Sequence, residues 1–266
     1  MLQELINAAK PGDTVHVPPG TYPVDAIGAS VNLKSGITLD LAHVILTAKP
    51  NDKIFSIIMR ISDCEDVTIF GGTIWGDRNT HLGSADASVG GGGGGIAIWK
   101  SKNIKIQGTT ILDSFCDGLL VWHSGQVEIA NVTADHNRRQ GMSLVDSHDV
   151  HIHDNRFTNC GGTPPGDGID IENDLESETC ANILVERCVF TGNQGSGVGV
   201  GSPGQYKNIV INPNNDCVFD GKTQPIWTAG NAGSLGTPWW AFILNRTYGK
   251  APGYAYWGYP RTWRSA

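Results

Sequence analysis

Apolar residues in this chain recur in short alternating triplets, not in long runs or at helical spacing. Ile37-Thr-Leu39, Val67-Thr-Ile69, Ile104-Lys-Ile106, Val127-Glu-Ile129, Val150-His-Ile152, Ile183-Leu-Val185 and Ile209-Val-Ile211 each read as a short strand with one buried face. From Ile104 to Val127 and from Val127 to Val150 the step is 23 residues. Ten residues after the first apolar position stand Ser114, Asn137, Cys160 and Asn193, small or amide side chains that can stack at a turn. Fourteen residues after it stand Gly118, Gly141 and Gly197, each opening a further strand; Gly168 comes four residues late, behind the loop Gly161-Gly-Thr-Pro-Pro-Gly166. A unit of this length with three short strands and no helical period predicts an all-β chain coiled as a parallel solenoid. Residues 12–22 predict a strand, a turn and a second strand, and residues 2–9 a short amphipathic helix able to cap one end.

Alternation assigns the faces of the Gly-led strands. Leu119/Val121, Met142/Leu144, Ile169/Ile171 and Val198/Val200 point inward, where like stacks on like. Ala97/Trp99, Leu120/Trp122, Ser143/Val145, Asp170/Glu172 and Gly199/Gly201 point outward. One sheet should therefore carry a column of Trp99, Trp122, Val145 and Glu172 beside a column of Ala97, Leu120, Ser143 and Asp170. Two carboxylates break a pattern that is otherwise apolar or small. An insertion over residues 77–94, ending in a run of six glycines, should overhang the same sheet, either as a flexible connection or as the mobile wall of a groove.

The pattern fails after about residue 220. Residues 223–266 hold five of the eight Trp and four of the six Tyr, so the chain divides into a solenoid domain over 1–222 and an aromatic segment over 223–266. That segment would cap the open end, since uncovered strand edges invite pairing, or pack in a homo-oligomer. Length and the 39% hydrophobic content suffice for one sizeable core, and 35 glycines suit a fold with many turns. A formal charge of −7 argues against nucleic acid or an anionic membrane as partner. No apolar run approaches the ~18 residues of a membrane span, and the first 14 residues lack a signal-peptide core, although an extracellular or virion-associated setting suits the reading below. The six cysteines show no zinc-like spacing and are read as reduced and buried, with a Cys160–Cys188 bridge between repeats left open.

Over roughly residues 10–220 the repeats resemble the right-handed, single-stranded parallel β-helix proteins of the pectin-lyase-like superfamily. Asp113-Ser-Phe-Cys-Asp-Gly118, Asn137-Arg-Arg-Gln-Gly141 and Gly162-Thr-Pro-Pro-Gly-Asp-Gly-Ile-Asp-Ile-Glu172 are similar to a bacterial and phage group presumed to act on polysaccharides, some as phage depolymerases. The resemblance implies the fold and a polysaccharide or oligosaccharide substrate. It leaves hydrolase, lyase, epimerase, transferase and non-catalytic spike open. The adjacent Asp-Asp and the Gly-His-Gly of polygalacturonases are absent, as is the Asp-Pro-His of mannuronan epimerases.

Asp170 and Glu172, two apart on one strand, place their Cβ atoms about 6.5–7 Å apart, a separation that suits inverting glycoside hydrolysis by one acid and one base. Asp167 is either a turn residue or a third carboxylate. Arg138 and Arg139, one coil away, could form ion pairs or grip sugar; Trp99 and Trp122 are either covered by the inserted loop or offer a sugar platform. His81 and His123 join them as substrate-positioning candidates. The favoured function is a glycoside hydrolase with no metal or other cofactor. A lyase or uronate epimerase is the alternative, with Ca2+ held by Asp170, Glu172 and Asp174, and a non-catalytic glycan-binding spike is the third reading. His151 and His153, which share a face, are read as exposed polar residues.

Overall fold

The computed structural model describes residues 2–86, 88–201, 203–212, 214, 216–220, 225–228 and 242–248, the last segment by its backbone. Its coils stack as a parallel β-solenoid, each turn giving one strand to each of three sheets of nine, eight and eight strands among the described residues. The apolar triplets form the first sheet: Ile104 lies opposite Val127, Val127 opposite Val150, and Val150 opposite Ile183. The Gly-led strands Phe55–Ser62, Gly92–Trp99, Asp117–Trp122, Met142–Val145, Ile169–Glu172 and Val198–Val200 form the third. Both the predicted register and the predicted inward set hold, with Leu119, Met142, Ile169 and Val198 fully buried in one column.

Columns of like residues also close the turns. The Asn137 side-chain oxygen accepts the Ser114 amide at 3.0 Å, and Asn193 does the same for Cys160 at 3.0 Å. A serine ladder closes another corner, between the third and first sheets, Ser101 N–H to Ser124 Oγ at 3.1 Å and Ser124 N–H to Ser147 Oγ at 3.3 Å. Each such bond satisfies a backbone donor that the bend takes out of the sheet ladder. Inside, Phe157, Phe190 and Phe219 stack on successive coils with ring centroids 5.7 and 5.1 Å apart. All six cysteines are free thiols, which removes the Cys160–Cys188 bridge.

The helix Leu2–Ala8 buries Leu2 and Ile6. The Gln3 side chain bonds both peptide groups of Asn32, donating to its carbonyl at 2.9 Å and accepting its amide at 2.8 Å, and so occupies the outermost strand of the third sheet. Beyond residue 222, Ile226–Thr228 continues the third sheet in parallel, and Phe242–Tyr248 runs antiparallel to Gly204–Ile211. Most of residues 223–266, and with them the expectation of an aromatic cap or oligomer contact, lie outside the described residues.

The glycine run departs from both expectations made for it. Gly92–Trp99 is one continuous strand, with Gly92, Gly93 and Gly94 opposite Phe55, Ser56 and Ile57. The glycines are there for close approach: a Cβ on Gly95 would stand 2.6 Å from Ile111 Cγ2. The glycine that opens each later strand has the same cause. A Cβ on Gly141 would stand 2.6 Å from the Gly168 carbonyl oxygen and 2.7 Å from the Phe157 ring, and one on Gly168 would meet Gly197 and Phe190 equally closely. Overpacking of this kind costs about 1–3 kcal/mol. Gly141→Ala should therefore lower the free energy of unfolding by about 2 kcal/mol in a urea titration followed by circular dichroism. Gly90→Ala, with nothing within 4 Å of its added carbon, should stay within about 0.5 kcal/mol of wild type.

Candidate active site

On the outward face of the third sheet the pairing aligns Ala97, Leu120, Ser143, Asp170, Gly199 and Trp227 in one column, and Trp99, Trp122, Val145 and Glu172 in the next. The lower part of this face is closed. Ala97, Leu120 and Val145 are buried with Ile57 in a second, small apolar cluster against which Phe55, Trp99 and Trp122 pack. The upper part is polar. Asp117, Asp167 and Asp170 are buried and Glu172 half-buried, so four carboxyl groups share one patch.

Each is held by a named contact. Asp167 Oδ1 accepts the Ser196 amide in a very short bond, and its Oδ2 leans over Gly199, 2.5 Å from where a Cβ would stand. Asp170 Oδ1 is 3.5 Å from the same point, an ordinary contact distance, so the missing side chain of Gly199 makes room for the Asp167 carboxyl. Asp170 Oδ2 accepts from Gln140 Nε2 at 3.0 Å, and the Gln140 amide donates to Asp117 Oδ1 at 3.4 Å. Arg139 Nη1 lies 3.3 Å from Asp117 Oδ2 and donates to the Gly91 carbonyl at 3.0 Å.

Burial sets the protonation of this group. Loss of water raises the Asp117 carboxyl, with Arg139 opposing. It pushes Asp167 up to about 8, reinforced by the charge of Asp170. Asp170 rises less, to about 6, because the Gln140 hydrogen bond and Arg139 favour its ionised form. Glu172 is raised well above the usual carboxylate range by burial and then by Asp170. With Asp170 at about 6 and Asp167 at about 8, an interval near neutral pH leaves Asp170 ionised beside a protonated Asp167, and Glu172 is shifted in the same direction as Asp167, an offset of the kind acid/base chemistry uses.

The other predicted residues divide into three groups. Arg138 and His81 both pack on Phe115: the guanidinium carbon is 4.4 Å from that ring's centroid and the imidazole stacks at 3.4 Å. Arg138 donates to the carbonyls of Asp86 at 2.9 Å and Val89 at 2.6 Å, and His81 Nδ1 lies 3.0 Å from Asp77 Oδ2. Both side chains hold the inserted loop against the coil, and Thr163 adds a bond to Val89 at 3.2 Å. Trp99 and Trp122 meet edge to face at 6.0 Å, with Arg60 over the first at 4.8 Å and Lys100 over the second at 5.7 Å. His123 occupies a left-handed turn position, φ 48°, and its Nδ1 lies 2.5 Å from Asp146 Oδ2, with Nε2 3.9 Å from Glu178 Oε1. Among the described residues, these three are the one group of His, Cys, Asp or Glu close enough to share a metal ion. His151 and His153 sit on the first sheet beside Glu186 and Glu128.

Asp117, Gln140, Gly199 and Trp227 were not assigned to the site from sequence. A signal existed for the first two: Asp117, Gln140 and Asp167 all precede the glycine that opens their strands.

A parallel solenoid with a buried carboxylate patch on one outer sheet defines the class. Residues 59–216 match the family described as the right-handed β-helix region, and the chain belongs to it. It is 28% identical over 216 residues to the uncharacterized protein YclG of Bacillus subtilis (strain 168), an alignment spanning 70% of this chain and 37% of that protein. The fold is similar to the Yersinia enterocolitica family 28 exopolygalacturonase (TM-score 0.59, 16% identity, 76% of this chain and 47% of that one). It is equally similar to a hyperthermoactive exopolygalacturonase from Thermotoga maritima (0.58, 18%, 78% and 60%). The chain thus spans little more than a third of its curated relative and about half of these enzymes.

Asp167 offers a test of the electrostatics. Because its folded-state pKa is raised, the proton it keeps supports the fold fully below about pH 4, and that support is lost as pH rises through about 8. Asp167→Asn keeps an oxygen for the Ser196 amide but cannot ionise. Its melting temperature should exceed that of wild type at pH 9, and the gain should vanish toward pH 4.

Proposed function

We propose that the chain is a polysaccharide-degrading glycoside hydrolase in which Asp170 is the general base and Glu172 the general acid. The observation that carries this reading is the pair's shared outward face, inside a patch whose burial raises Asp170 to about 6 and Glu172 well above the usual carboxylate range. Asp170 would take a proton from water, and Glu172 would give one to the departing sugar oxygen. Their separation along the strand, about 6.5–7 Å between Cβ atoms, leaves space for that water and favours inversion at the anomeric carbon. Asp167 holds a further proton beside Asp170, and Gln140 orients the base through the bond to its Oδ2. The reaction needs no cofactor. Elimination from a uronate is less well supported, because it requires a cation at the sugar carboxylate and Arg139 is engaged by Asp117 and Gly91.

The test begins with a panel of plant and bacterial polysaccharides and mass spectrometry of the products. Water addition is expected; an unsaturated product would replace hydrolysis by elimination. On any cleaved substrate, Asp170→Asn and Glu172→Gln should each lower kcat by about 10²–10⁴-fold with melting temperature preserved. If both keep wild-type turnover, the assignment fails. The rate should rise with pH through about 6 as Asp170 ionises, and fall at higher pH as Glu172 loses its proton.

A further inference from the structure

The corner between the first and second sheets carries two cysteines that the catalytic reading does not use. Val189–Thr191 lies in register with Val218–Phe219, Val189 opposite Val218, so the residues just before them, Cys188 and Cys217, stand one above the other on neighbouring coils. The main chain locks this placement: the Val218 amide donates to the Cys188 carbonyl at 2.8 Å, as the Val189 amide does to the Asn155 carbonyl one coil earlier at 2.9 Å. Adjacent coils about 4.8 Å apart put the two Cα atoms inside the roughly 4.4–6.8 Å that a disulfide spans.

The side chains follow the same column, each reaching back to the coil before it. Asn155 accepts the Val132 amide through Oδ1 at 2.7 Å, and Cys217 accepts the Cys188 amide through Sγ at 3.4 Å. The two thiols also meet in a hydrogen bond, which raises the Cys188 thiol and lowers that of Cys217. Both are free, Cys188 buried and Cys217 half-buried, so Cys217 is the one to ionise and meet a reagent first. The other four cysteines have no such neighbour. Cys64 and Cys180 share a corner, but the coils of Ser101, Ser124 and Ser147 separate them. Cys160 stands between Asn137 and Asn193, and Cys116 Sγ lies 3.7 Å from Ser56 Oγ.

We propose that Cys188 and Cys217 form an oxidative modification site, closing to a disulfide with a peroxide as oxidant and stapling the coil of Gly199 to the coil of Trp227. The Cys217 thiolate attacks one peroxide oxygen; an S–O bond forms, the O–O bond breaks, and the departing hydroxide takes the proton that Cys217 released. Cys188 then attacks the Cys217 sulfur, an S–S bond replaces the S–O bond, and the second hydroxide leaves as water with the Cys188 proton. Two electrons pass from the sulfurs to the peroxide, and two waters are made. The bridge would close a loop over residues 188–217 and tie down the last parallel coil of the described residues.

The intact chain, purified in dithiothreitol and then freed of it, is treated with hydrogen peroxide, alkylated in denaturant and digested for mass spectrometry. The main product expected is a peptide pair joined through Cys188 and Cys217, two hydrogens lighter than the reduced pair, with Cys64, Cys116, Cys160 and Cys180 still alkylated. The melting temperature should rise by about 5–10 °C over that of the reduced chain, and dithiothreitol should reverse the gain. Cys217→Ser should show neither change, and Cys188→Ser should leave Cys217 as a sulfenic acid that dimedone traps. A bridge between any other two cysteines overturns the proposal. So does Cys217 oxidised to sulfinic acid beside a free Cys188, or a chain whose six thiols all survive the peroxide. Because the first measurement uses the unaltered chain, it decides the matter even where a serine variant fails to fold.

Discussion

The structure depends on coils stacking in register at the strand spacing, so that each residue lies directly over its counterpart one turn away. Main-chain hydrogen bonds fix that spacing and tolerate no local expansion. Whatever occupies a position must therefore fit between the same position above and below. Inside, this selects columns of Ile, Val and Leu, and at the bend of the third sheet it selects glycine, because the next coil's carbonyl and a phenyl ring already fill the space a methyl would need. At the turns it selects serine and asparagine, whose side chains reach one coil along to the unpaired amides.

The same stacking makes a buried acidic patch affordable in structural terms. Four carboxyls so close together would repel one another and lose hydration, and the fold answers with neutralisation by retained protons and with donors fixed by the backbone. The Ser196 amide, the Gln140 amide and the Gln140 side chain each come from the position just before the glycine of a Gly-led strand, on the two coils that flank the one carrying Asp167 and Asp170. The donors are thus part of the repeat, and the carboxyls replace small or apolar residues in columns that already exist. Gly199 contributes by absence: any side chain there would displace Asp167.

Period-two alternation and the 23-residue step made much of this legible in the sequence. Together they put Asp170 and Glu172 on one outward face next to Ser143 and Val145, as the structure has them. Features without a period escaped. The destination of Arg138 depends on the path of an insertion that repeats nowhere, so the chain alone could not show that it serves the carbonyls of Asp86 and Val89. Glycine carries two opposite meanings, freedom and tight contact, and residues 90–95 were read for the first although most of the run has the second. Trp227 lies on a strand of three residues reached after the rhythm has broken, too short to announce itself by alternation.

Arg139 joins the two levels of organisation. One nitrogen of its guanidinium contacts both the Gly91 carbonyl at the end of the insertion and the Asp117 carboxylate at the base of the acidic patch. The loop end therefore helps fix where the patch's nearest positive charge sits, and that charge favours the ionised form of Asp170 while opposing the rise of Glu172. Displacing the loop would weaken that restraint, and because the Arg139 charge lowers both carboxyls, both would shift upward. The Arg138 and His81 contacts to Phe115, which lie outside the carboxylate patch, matter to it through this route: they fix the loop that positions Arg139.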